Sequence, residues 1–573
     1  MSRILRLFAI IVLLFLIAIA WFWWNRPKRV DMAAYVPADS LVYLESNSLT
    51  DVLGAITDTD AWRSLSPQIG INPAKQNNWL TYLAKTTGLG STRAVIAVRA
   101  QIAFVLLDLK SSGDGDALEF KSQAALVVET HTSAGRIKPV VEEAIGEIAD
   151  RAYVHPKLEH VSIESNEFIR WIAPDGQRRI VASVDGSVVV VGNDERAVSA
   201  CLAARRGQRP SLLHQAELED MRARLKGTEA LAFGYVSSPH AARLVSEAAP
   251  VLLGRLSQGA QLQKLLGAGS SKILGNVGWS AHAFSGGIQD SYFADLKPEV
   301  VGRLRPAFLG KEQRVPEATE FLPADVYSVT SYNMRDPALA WDSINAAVSA
   351  QLDVVSAVVF TTAFRALLAP YGIDDPDAFL KAIQPEVLTV HLDSRSERAL
   401  VIARIGSANS LHQFVSRRFG AKPRSERVGD YELLISPDET YAASFAGDYF
   451  LLGAPEDVRR SLAAHATHVT IASAPSRLDA LTHYLDRPSS SSIVTYAKDN
   501  ERVRAFVSTL TSIRGNRNSI SFAEVDRVID GLPYATSETT LGDRGFERRT
   551  RSAFGQLGAL VSFLTPEPVA SAP

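Results

Sequence analysis

The stretch Ala182-Ser183-Val184-Asp185-Gly186-Ser187-Val188-Val189-Val190-Val191-Gly192 returns later in the chain as Ala443-Ser444-Phe445-Ala446-Gly447-Asp448-Tyr449-Phe450-Leu451-Leu452-Gly453. Both copies hold Ala-Ser, a glycine, an apolar run and a second glycine at the same spacing. The pattern predicts a hairpin: a strand, a tight turn in which Gly186 or Gly447 takes positive φ, and a second strand. Gly192 and Gly453 end that strand and hand over to helices at Glu195–Arg205 and Glu456–His465. Val198 and Leu202 answer to Val458 and Leu462, four apart in both, so each pair shares one helical face.

Outward from the hairpins the echo continues. Pro37-Ala38-Asp39 opens a strand through Leu41–Glu45, and Pro323-Ala324-Asp325 opens another through Val326–Thr330. A helix follows each, at Leu49–Ile56 with Ser48 or Thr50 as cap, and at Ala338–Val348. Ala124–Glu129 and Ala399–Ile405 predict strands that lead into helices near Ile137–Ile148 and Ser410–Arg418. Ala230–Val236 and Ser492–Ala497 precede further helices. Each half closes on a hairpin and a helix. The features recur in one order at offsets of roughly 260 to 290 residues, the mark of a tandem duplication. The expected fold class is α+β: an N-terminal transmembrane helix, then two duplicated α+β modules with mainly antiparallel sheets and helices packed on one face. The expected division is an anchor at 1–29, modules at 30–310 and 320–564, a polar linker at 311–319 and a disordered tail at 565–573.

The anchor is read from Leu7–Trp24, which carries no charge. Leu7, Leu13 and Leu14 supply the apolar span, and Trp21, Trp23 and Trp24 suit a membrane interface. Ala18-Ile19-Ala20 has the form of a leader-cleavage site, but the apolar run continues past it into the aromatics. Residues 4–24 are thus expected in a cytoplasmic (inner) membrane as a single pass, and the short N-terminal tail favours a periplasmic or extracellular body. The 573 residues hold 60 basic and 62 acidic side chains, so no basic face marks a nucleic-acid binder. Cys201 is the one cysteine, which excludes an intrachain disulfide and a thiol-rich metal site.

A single anchor followed by modules that open on Pro37-Ala38-Asp39 and Pro323-Ala324-Asp325 resembles the uncharacterised envelope proteins of several bacterial groups, known as domains of unknown function. The resemblance implies a surface or periplasmic location and transfers no catalytic residue.

Candidate chemistry is sparse. His465 and His468 form an H-x-x-H pair at a helix end, where cationic residues are favourable without any metal. Gly267-Ala268-Gly269-Ser270-Ser271-Lys272 lacks the Gly-Lys pair and the preceding strand of a phosphate loop. Asp114 and Asp116 lack the further oxygens of a calcium loop. Cys201, in a helix where the other copy has Ser461, reads as a packing residue. No catalytic, cofactor or metal residue is assigned. Pro37, Asp39, Pro323, Asp325, Gly186, Gly192, Gly447 and Gly453 are read as residues that define the repeat. The expected function is a non-catalytic envelope protein that binds a protein partner or supports an assembly. The alternatives are a solute or lipid site between the modules, and a hydrolase whose site the spacing hides.

Overall fold

The computed structural model describes residues 29–71, 99–112, 119–163, 166–253, 270–308, 317–350, 371–394, 398–420, 423–471, 491–514 and 521–563, with single positions at 96, 361, 365 and 368. Among the described residues, twenty strands form one antiparallel sheet. Those of the first half are β1 (Val42–Ser46), β2 (Gln101–Ser112), β3 (Glu119–Glu129), β4 (Lys157–Ile163), β5 (Asn166–Ile172), β6 (Arg179–Asp185), β7 (Val188–Gly192), β8 (Ala232–Val236), β9 (Leu274–Phe284) and β10 (Gly287–Leu296). Those of the second are β11 (Ser328–Asn333), β12 (Ile383–His391), β13 (Leu400–Ile405), β14 (Arg424–Val428), β15 (Tyr431–Ile435), β16 (Ala442–Ala446), β17 (Tyr449–Gly453), β18 (Ile493–Ala497), β19 (Ala535–Leu541) and β20 (Gly545–Ser552).

Neighbour by neighbour, the first half runs β4-β5-β6-β7-β3-β2-β1-β8-β9-β10. The second half runs β14-β15-β16-β17-β13-β12-β11-β18-β19-β20, the same order. The two join where β10 pairs with β20, from Ile288 opposite Ser552 to Asp295 opposite Gly545. Tracing the register outward from the Pro-Ala-Asp triplets equates Tyr292 with Thr550 and Asp290 with Arg548. The halves therefore meet about the Ser291–Arg549 pair, as two copies related by a two-fold would.

Three expectations are corrected. First, the modules do not carry separate sheets, because the edge strands β10 and β20 satisfy each other's backbone groups. Second, helices cover both faces. Val188 and Val190 pack under the helix Glu195–Arg205, while Val191, with Ile169 and Ala182, packs under Ala134–Tyr153. In the other half, Leu451 packs under Pro455–Thr467, and Phe450 and Leu452 under Pro376–Ala382 and Ala408–Phe419. Consecutive apolar residues in β7 and β17 require this, since neighbours along a strand point to opposite faces. Third, the membrane-spanning helix: among the described residues no helix is long and apolar enough to cross a membrane. The 20-residue helix Ala134–Tyr153 carries Arg136, Lys138, Glu142, Glu143, Glu147, Asp150 and Arg151, and so presents a charged face to water. Residues 1–28, with Leu7, Leu13, Leu14, Trp21, Trp23 and Trp24, lie outside the described residues.

Candidate functional site

The residues that define the repeat hold backbone geometry. Gly186 and Gly447 sit at φ +65° and +59° in two-residue hairpin turns. A Cβ on Gly192 would lie 2.8 Å from the Ala124 carbonyl, and one on Gly453 would lie 3.0 Å from Leu400 Cα. Both glycines thus let neighbouring strands approach. Pro37 forms an isolated bridge with Ser211, and Pro323 forms its equivalent with Thr470. Asp39 pairs with Arg209, just after the helix Glu195–Arg205, and Asp325 pairs with Arg460, within the helix Pro455–Thr467, so each triplet is tied to the hairpin-helix region of its own half.

The other candidates separate from any chemistry. His465 stacks on Phe321 with ring centroids 4.2 Å apart, whereas His468 is the left-handed cap of its helix at φ +55°, so the two rings do not share a helical face. Among the described residues no group of three or more His, Cys, Asp or Glu side chains is placed to hold a metal. Cys201 is 1% exposed, and burial pushes its thiol up to about 12. A thiol so protonated is a poor nucleophile. Ser270–Lys272 are helical, while Gly267–Gly269, Asp114 and Asp116 lie outside the described residues. The expected linker at 311–319 and tail at 565–573 are described only at Glu317–Thr319, part of a short 3-10 helix.

Two polar clusters went unread in the sequence. Arg222 reaches Asp31 at 2.8 Å and Glu45 at 2.9 Å, and the Tyr43 hydroxyl donates to Glu45 at 2.7 Å. This buried cluster ties the 3-10 turn Met32–Tyr35 and β1 to the helix Ala216–Leu225. The second cluster lies at the seam. Asp290, 1% exposed in β10, accepts from Trp279 Nε1 and from the backbone N–H of Gln556, both at 2.9 Å. Burial pushes its carboxyl up to about 6. Asp499, just before the helix Asn500–Arg514, is also pushed up to about 6 by burial, with Asp290 adding to the rise and Arg502 opposing it. Asp290 thus caps the helix Gly555–Phe563 through the Gln556 N–H, and Asp499 stands at the start of the helix Asn500–Arg514, where a carboxylate meets the positive end of the helix.

A cavity of about 170 Å³ lies in the second half. Its floor is Tyr332 of β11, Val387 and Thr389 of β12 and Val401 of β13. Its roof is Pro337, Ala340, Trp341 and Ile344 of the helix Pro337–Ser349, and its wall is Tyr371, Ile373, Phe379 and Leu380. Asp336 accepts from the Leu339 N–H and Pro337 starts the helix, which fixes the roof at its near end. The same helix packs with Pro298–Phe308 of the first half. The Tyr332 and Thr389 hydroxyls lie 3.4 Å apart on the floor. Burial, and then the nearby Tyr332 phenol, raise the pKa of Tyr371. These residues lining the cavity all belong to the second half. Spacing could not reveal it, because Tyr332 and Thr389 are 57 residues apart and meet only through β-register.

No family model, no curated protein and no solved structure matches this chain.

Proposed function

We propose that this is a non-catalytic binding protein whose second half holds a small, mainly apolar molecule beneath the helix Pro337–Ser349. The supporting observation is the cavity itself, with aromatic walls and few polar groups, the usual make-up of a small-molecule site. The test is thermal unfolding of the protein in buffer saturated with toluene. A ligand that binds only the folded state raises the melting temperature. Ala340→Leu, which fills the space from the roof, should abolish that rise. An unchanged melting temperature in the parent protein would sink the reading.

A protein-binding role is the second reading. It is favoured by β4, an end strand of the described sheet on which Leu158 and Ile163 are exposed. Such an edge accepts an extended segment of another protein by backbone pairing. Amine-reactive cross-linking of the protein in its native extract should then join Lys157 to a second polypeptide. Cross-links confined to other faces would remove β4 from consideration.

A further inference from the structure

We infer that the occupant of the cavity is a single-ring molecule bearing one hydroxyl, a phenol in chemical class, and that Thr389 and Tyr332 select it. The inference rests on the binding reading above and adds the chemistry of the ligand.

Size comes first. A dry cavity of about 150 Å³ takes up benzene. A space of about 170 Å³ therefore admits one substituted ring. Shape follows from the walls, where Trp341, Tyr371 and Phe379 offer edges and faces to a planar partner.

Polarity decides the class. Tyr332 and Thr389 each carry one hydroxyl hydrogen, and only one of the two can lie between the oxygens. The other hydrogen, and lone pairs on both oxygens, can serve a ligand hydroxyl. The fold does not require these groups. Leu44 and Phe104 face each other across β1 and β2, and Phe104 pairs onward with Leu126. At the same register the second half has Thr330, Thr389 and Val401. Ser46 stands where the second half has Tyr332, and its hydroxyl is already committed to the Leu231 carbonyl at 2.8 Å. Phe104 thus stands where the other copy has Thr389 beneath the cavity, and the hydroxyl of Ser46, the counterpart of Tyr332, is spent on the fold. Both residues are half-buried on an otherwise apolar floor, where a ligand hydroxyl can take the place of water on them.

The experiment is isothermal titration of the full chain with phenol and with toluene, which have the same number of non-hydrogen atoms. Phenol should bind about tenfold more tightly than toluene. Thr389→Val should bring the two within about twofold, and Tyr332→Phe should move the ratio the same way. Unchanged melting temperature without ligand checks that each variant is folded. Equal affinities in the parent protein, or a phenol preference untouched by both substitutions, would overturn the ligand class while leaving the cavity as an apolar site. No binding of either compound would remove the binding reading as well.

Discussion

Gly192 and Gly447 show that one residue type answers two different demands. Gly447 has open space where a Cβ would go but sits at φ +59°, so its constraint is backbone conformation alone. Gly192 has ordinary φ but would place a Cβ 2.8 Å from a backbone oxygen that cannot step aside. Gly447→Ala should therefore cost about 1–2 kcal/mol in urea unfolding. Gly192→Ala should cost up to about 3 kcal/mol, because the neighbouring strand must shift. Equal costs would show that the β3–β7 contact is softer than its geometry implies. Cys201 makes a second prediction. In the native protein its thiol should resist a disulfide exchange reagent, and it should react at once in urea, since burial withholds both access and the thiolate. The motif Gly-x-x-x-x-x-Gly was legible in the sequence, but the reason for its second glycine was not. That reason is the distance to another strand.

Single elements are explained by what lies on each side of them. β17 is buried along its whole length, because it serves a helix on either face. β4, at the end of the described sheet, is mostly exposed and carries Lys157, Glu159 and His160, which discourage indiscriminate pairing. The helix Ala216–Leu225 is held through Arg222, whose guanidinium serves Asp31 and Glu45 together. Arg222→Met should destabilise the protein by about 3–5 kcal/mol in urea unfolding, because it leaves Glu45 buried without its cation. A loss under about 1 kcal/mol would mean that water enters the cluster. Helix positions such as Glu195–Arg205 were readable from apolar spacing, since the 3.6-residue period is local. The assignment of helices to both faces was not taken from the sequence, although four consecutive valines in β7 carried the signal.

Across the whole molecule, the seam at Ser291 and Arg549 makes one sheet of two similar halves. Ser291→Pro should break this central ladder and cost more than about 3 kcal/mol, read as a lowered urea midpoint. The seam also gives the protein an unusual response to pH. Asp290 and Asp499 both have carboxyls raised to about 6, facing Trp279, Tyr292, Gln556 and Arg502. A raised carboxyl contributes stability that is complete below about pH 4 and is lost as the pH rises through about 6. Each should make the protein more stable at pH 5 than at pH 7 by about 1 kcal/mol. Asp499→Asn should flatten its share of that slope in urea titrations at the two pH values. A slope of opposite sign would show that Arg502 holds the pair ionised.

The sequence by itself determined the local structure: the two hairpins, the Pro-Ala-Asp strand openings, and helices whose apolar positions fall on one face. These follow from periodicity and from residues whose backbone preferences act over a few positions. The equal order of features along the chain was also visible there. Only the tertiary structure decided that the halves share one sheet, that Asp290 and Asp499 converge at the join, and that Tyr332 meets Thr389 beneath Trp341. Each of those depends on which distant strands become neighbours and in what register. Register is a property of packing and backbone pairing, and no spacing along one strand records it.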